Sequence, residues 1–147
     1  MRLIILSGES HCGKTTSLNL LHDILLSTNT ATEQSKISVG NSSQHDYEYL
    51  MSCVNTNKKI VISTWGDYPC LLNQCCLKYA GCDAIICACN MGFMRNRVYK
   101  PFEDAMKFDN LTTVVLKTPE SNPQKHSNSN KICAIHLRDL MKHFGII

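Results

Sequence analysis

Several things are missing from this chain, and each absence excludes something. No stretch of its 147 residues approaches the roughly 20 consecutive apolar residues that a membrane-spanning helix needs. Ahead of the first polar segment the amino terminus carries one arginine and four apolar residues (Leu3 to Leu6), too few for a secretory signal. The sequence therefore predicts a cytoplasmic protein with no membrane partner. A dominant charge of one sign is missing as well. Fifteen Lys and Arg face 12 Asp and Glu, for a formal net charge of +3, with six histidines that can add to it. That excess is too small to argue for a nucleic-acid partner, and no arginine-rich helix or aromatic ladder supports one. It does suit an anionic ligand. No internal repeat and no break in composition divides the chain, so residues 1–147 read as one domain of a size that supports a normal core. Cysteine is plentiful, nine in all, but paired metal-binding knuckles are not. An odd count without a secretion signal argues for reduced thiols, several of them acting as small core hydrophobes.

What is present is concentrated near the start. Residues 8–15 read Gly8-Glu9-Ser10-His11-Cys12-Gly13-Lys14-Thr15, the pattern G-x-x-x-x-G-K-[ST]. It lies between the apolar run Leu3-Ile4-Ile5-Leu6 and a helical pattern carried by Leu18, Leu21, Ile24 and Leu25. A strand before and a helix after is the setting in which such a loop holds phosphate. Gly8 is expected to let the chain leave the strand at angles other residues resist, and Gly13 to let backbone approach the anion without a Cβ. Successive N–H groups then form a nest, and the helix start adds unpaired N–H groups and its positive dipole end. Lys14 should reach the β- and γ-phosphates, Thr15 should coordinate Mg²⁺ through its hydroxyl, and Thr16 should bond the α-phosphate. Glu9, Ser10, His11 and Cys12 contribute backbone to the cradle, and their side chains are not required for it. Cys12 sits beside Lys14 and a helix start, two features that favour thiolate, which makes oxidation-sensitive binding an expectation.

The remainder predicts an α/β fold. Strands are expected at 2–7, near Ile60 to Ile62, at Ala84 to Ala88 and at Leu111 to Leu116, the last two buried. Helices are expected at 14–26, about 69–79, 95–108 and 132–144, with Ile132, Ile135, Leu137, Leu140 and Phe144 inward in the last. Residues 46–64 read as a β-hairpin turning at Asn55-Thr56-Asn57, in preference to a helix capped by Asp46. Residues 27–44 read as a polar mobile connection or flap with one weak strand near Ile37, and 119–130 as a loop. Buried strands alternating with helices mean a mostly parallel sheet covered on both faces, with ligands at the carboxyl ends of the strands.

The motif and this layout resemble the P-loop NTPase superfamily, with an outline similar to small nucleotide-kinase-like or other single-domain members. The resemblance implies a three-layer fold binding a nucleoside triphosphate with Mg²⁺. Members of the superfamily carry an acid after an apolar strand; here Asp67, three residues beyond Thr64, is either that acid and a metal-shell residue or the cap of the next helix. In nucleotide-kinase-like proteins a lid supplies arginines that clamp the transferring phosphate. Arg95 and Arg97 either do this or are solvated at a helix start. The guanine-reading N-K-x-D is absent, since Lys117-Thr118-Pro119-Glu120 follows the relevant strand, so ATP is the default. Three functions stay open: transfer to a small-molecule phosphate acceptor, hydrolysis driving a protein partner, and nucleotide binding with little catalysis. Trp65, at a strand end, is either a sensor or partner contact or a buried side chain.

Overall fold

Apolar residues alternate along β1 (Arg2–Gly8) so that each face of the sheet receives its own set. Ile4 and Leu6 point to one core, Leu3 and Ile5 to the other. The computed structural model describes residues 1–40, 45–66, 68–90 and 111–147, and the following applies to those. In chain order the elements are β1, α1 (Lys14–Ser27), β2 (Ala31–Ser38), β3 (Tyr47–Cys53), β4 (Lys59–Ser63), α2 (Pro69–Lys78), β5 (Ala84–Asn90), β6 (Thr112–Lys117) and α3 (His126–His143). The six strands form one sheet in the order β2-β3-β4-β5-β1-β6.

The sheet is mixed and mostly parallel. β1 lies between β5 and β6 and runs parallel to both, and β4 runs parallel to β5. β3 is antiparallel to β2 and β4. β1, β4 and β5 are buried nearly end to end, as central strands covered on both faces must be. On one face, Leu18, Leu21 and Leu25 of α1 and Ala134, Leu137 and Met141 of α3 cover Ile4, Leu6, Ile62 and Ile86. On the other, Leu72, Cys75 and Cys76 of α2 cover Leu3, Ile5, Val61 and Ile85. Each fully buried aliphatic side chain contributes about 1.5–3 kcal/mol, so the central strands carry most of the stability.

The hairpin at 46–64 is present as β3 and β4, with Met51 opposite Ile60 and Tyr49 opposite Ile62. Its turn is closed by Asn57, φ 56°, whose N–H donates to the Cys53 carbonyl at 3.0 Å. Four expectations need correction. The connection expected at 27–44 holds an eight-residue strand, β2, paired with β3. Its sequence is polar because it is an edge strand exposed along most of its length, so it carries no alternating apolar signal. β6, expected to be buried, is exposed at Val114 and Leu116 (40% and 64%); among the described residues only β1 flanks it. The loop expected at 119–130 ends early: a single helical turn at Pro123–Lys125 leads into α3 at His126. In α3 itself Ile132 is exposed, and Ala134, Leu137 and Met141 point inward. The helix expected at 95–108 lies outside the described residues. No helix among the described residues is long and apolar enough to cross a membrane.

Candidate functional site

The Gly8–Thr15 loop joins the carboxyl end of β1 to the start of α1, at the end of the sheet where the parallel strands finish. Its glycines are required by their surroundings. A Cβ on Gly8 would lie 2.5 Å from the Lys117 carbonyl of β6 and 2.6 Å from Cys12 Sγ, so it is close packing, not an unusual φ, that demands glycine there. Gly13 has φ +88°, and a Cβ on it would run into the Asn130 side chain of α3. His11 is also left-handed, φ 61°. Left-handed residues in a short loop are the setting in which peptide N–H groups form an anion nest; of the loop N–H groups, that of Cys12 donates to the Glu9 carbonyl at 3.4 Å. Gly13 caps α1 with no side-chain hydrogen bond, which leaves the first-turn N–H groups facing the same space.

Lys14 is 8% exposed. Its ammonium donates to the Gly8 carbonyl at 3.0 Å and the Glu9 carbonyl at 2.7 Å, and lies 3.9 Å from Cys12 Sγ. The two oxygen acceptors are neutral carbonyls, and among the described residues no carboxylate pairs with the ammonium. A buried cation without a carboxylate partner is costly, and an incoming anion relieves that cost.

A cleft of about 710 Å³ opens over the loop, lined by Ser10, His11, Gly13, Lys14, Thr15 and Thr16 from the loop side. From the other elements come Asp46, Thr64, Gly66, Tyr68 and Asn90. Asp46, 4% exposed, is the residue that sequence reasoning placed only as an alternative helix cap. Its Oδ1 accepts hydrogen bonds from Thr15 Oγ1 at 3.2 Å and Thr64 Oγ1 at 3.0 Å. Thr64 Oγ1 in turn accepts from the Tyr47 N–H at 2.9 Å, so the hydroxyl is oriented from both sides. Asn90, at the end of β5, donates to Ser10 Oγ at 2.7 Å and ties that strand to the loop. Its backbone N–H donates to the Gly66 carbonyl at 3.0 Å, which draws the tail of β4 across β5 to the cleft although β4 is two strands from β1.

A smaller cavity of about 200 Å³ adjoins the cleft and shares His11, Gly13 and Thr16 with it. Cys12 also lines this cavity, whose far wall is Pro119, Glu120, His126 and Asn130. Lys117, 6% exposed, sits behind the loop opposite Gly8 and donates to Ser129 Oγ at 3.4 Å. It is a second buried ammonium near the loop. Its sequence signal is a charge that ends an apolar strand.

Of the expected loop residues, Ser10, His11, Gly13, Lys14, Thr15 and Thr16 line the cleft. Asp67, Arg95 and Arg97 lie outside the described residues. Gly66 is in the cleft. Trp65 is half-buried and lines a pocket with Glu48, Leu71 and Lys78, so it is neither freely exposed nor part of the core. Six of the nine cysteines are buried; Cys75, Cys87 and Cys89 are core residues whose thiols burial pushes up, Cys75 to about 12 and Cys89 to about 11. Among the described residues no cluster of three or more His, Cys, Asp or Glu is arranged to hold a metal ion. Thr15 and Asp46 nevertheless present two hard oxygen donors side by side. That fits Mg²⁺, which takes one or two protein ligands and completes its shell with water and phosphate.

Compared with known proteins, the chain matches no family model, no curated protein and no solved structure.

Proposed function

We propose that the chain is a P-loop protein that binds a Mg²⁺-nucleoside triphosphate, ATP by default, in the cleft over Gly8–Thr16 and catalyses phosphoryl transfer. The carrying observation is Lys14: a buried ammonium held by the Gly8 and Glu9 carbonyls and, among the described residues, paired with no carboxylate, in a loop with left-handed residues at His11 and Gly13. In this reading Lys14 exchanges its carbonyl contacts for β- and γ-phosphate oxygens, while the loop N–H groups and the α1 start hold the polyphosphate. Mg²⁺ bound with the nucleotide neutralises charge on those oxygens. Thr15 and Asp46 are the residues that would hold it, with Thr64 fixing the carboxylate. Asp46 thus takes the acidic role that the sequence offered to Asp67. The adjoining cavity, continuous with the cleft through His11, Gly13 and Thr16, is supporting ground for a whole nucleotide over a bare phosphate.

The α/β sheet with helices on both faces supports the three-layer P-loop architecture. β5 separates the loop strand from the hairpin strand. The test is nucleotide turnover with and without a panel of phosphate acceptors. Acceptor-dependent ADP formation identifies a kinase, and release of free phosphate alone identifies a hydrolase. Tight Mg²⁺-dependent binding without turnover identifies a switch or interaction module and removes the catalytic half of the proposal.

A further inference from the structure

Resting on that reading of the cleft, we propose that Asn19 is a positioning residue for Asp46, and through it sets how strongly Mg²⁺ enhances nucleotide binding. Asn19 stands four residues after Thr15 on α1, so the two side chains project from the same face one turn apart. Thr15 bonds the Asp46 carboxylate at 3.2 Å. Asn19 Nδ2 donates to the carbonyl of the preceding residue, His45, at 3.3 Å. The helix therefore grips the segment leading into β3 at two successive points.

The second grip acts on a strained backbone. His45 has φ 54°, a left-handed conformation that a side chain such as histidine adopts at a cost. That conformation directs the next residue, Asp46, to Thr15 and Thr64. A single hydrogen bond contributes an amount similar to the strain, so losing it allows other His45 conformers and disperses the Asp46 carboxylate.

Asn19 is itself held. Its Oδ1 accepts from Tyr49 Oη at 2.8 Å. The amide orientation follows from chemistry: the His45 carbonyl only accepts, so the NH₂ must face it and the oxygen must face Tyr49. Tyr49, 2% exposed, remains a donor because burial, reinforced by the Asp23, Tyr47 and Glu33 side chains, pushes its hydroxyl well up. Its ring stacks on His22 with centroids 3.9 Å apart and 18° between planes. The His22 ring nitrogens lie 2.9 Å from Asp23 and 2.7 Å from Glu33, which fixes the imidazole against α1 and β2. A continuous chain of fixed groups thus runs from His22 through Tyr49 and Asn19 to the peptide before Asp46.

The experiment is titration calorimetry of ATP with and without Mg²⁺ for the wild type, Asn19→Ala, Tyr49→Phe, Asp46→Asn and the Asn19→Ala/Asp46→Asn double variant. The readout is the ratio of the two affinities. Asn19→Ala should lower that ratio about three- to tenfold, the range of one hydrogen bond, and leave Mg²⁺-free affinity nearly unchanged. Tyr49→Phe, which keeps the ring stack, should lower the ratio less. In the double variant the Asn19 change should add nothing to the loss from Asp46→Asn. An unchanged ratio in Asn19→Ala with only a lower melting temperature, or fully additive losses, overturns the positioning role. Absence of nucleotide binding by the wild type overturns the cleft reading along with it, and is seen before any variant is compared.

Discussion

Asp46 and Glu48 stand two positions apart at the head of β3. Both are buried, at 4% and 8% exposure, and their partners differ in kind. Glu48 Oε2 accepts from Lys78 Nζ at 2.5 Å and from Tyr79 Oη at 2.7 Å, which fastens the carboxyl end of α2 to the sheet. Asp46 Oδ1 accepts from two threonine hydroxyls at the rim of the cleft, one of them in the glycine-rich loop. A carboxylate bonded to an ammonium is electrostatically satisfied and serves the fold. The two threonine hydroxyls instead fix the Asp46 carboxylate beside the loop, at the rim of the cleft. The two acids teach that burial alone does not tell a carboxylate that fastens a helix from one set at the rim of a cleft; the position of its donors does.

Four substitutions can break or sharpen this contrast. The largest effect falls on the cleft side: Lys14→Ala should weaken Mg²⁺-ATP binding on the order of a hundredfold, the worth of charge-assisted bonds from a buried ammonium, as read by calorimetry. Next is Glu48→Ala, which removes the acceptor of two donors and should cost roughly 1–2 kcal/mol, discounted because half the Lys78 side chain meets solvent. That corresponds to a melting temperature lower by about 3–6 °C in a thermal scan, with nucleotide affinity unchanged. Asp46→Asn should show the reverse pattern, a loss of about tenfold in the Mg²⁺-dependent part of affinity with little change in melting temperature. If both acids moved the melting temperature alone, the contrast would collapse.

The smallest effect concerns alkaline pH. Burial pushes the Cys75 thiol up from its ordinary 9.0 to about 12, with Glu48 adding to the rise. Glu48 likewise raises Lys78, and burial raises Tyr79, from 10.5 and 10.0. In each case the folded chain holds a proton that the unfolded chain releases sooner, so the stability is intact below the ordinary values and falls as pH rises above them. Stability measured by denaturant should therefore decline from about pH 9 toward 12, and Cys75→Ala should make that decline shallower. A slope identical to the wild type would show that the thiol does not contribute.

The parts of the molecule readable from sequence are those governed by local rules. β1 and β5 are apolar runs short enough to be strands, and Leu18, Leu21 and Leu25 repeat at helical spacing. The loop between them is specified by four residues whose spacing carries the chemistry. β2 was not legible because Thr32, Glu33, Gln34 and Lys36 are all exposed on an edge strand, which leaves no pattern to detect. Ile132 misled for a related reason: it fits the helical repeat but falls at the margin of the buried stripe of α3. The meeting of Asp46 with Thr15, 31 residues apart, depends on strand order and on a left-handed residue at position 45, and neither leaves a local signature. Superfamily acids follow strands, which points from β4 toward Asp67 in the sequence, whereas Asp46 precedes β3.

Titration calorimetry of ATP and GTP into the wild-type protein, with and without Mg²⁺ and beside Lys14→Ala, tests the central claim most directly. The account predicts saturable one-to-one binding, tightened by Mg²⁺ and weakened about a hundredfold in Lys14→Ala. No Mg²⁺-dependent affinity for either nucleotide, or affinity unaltered in Lys14→Ala, would contradict it.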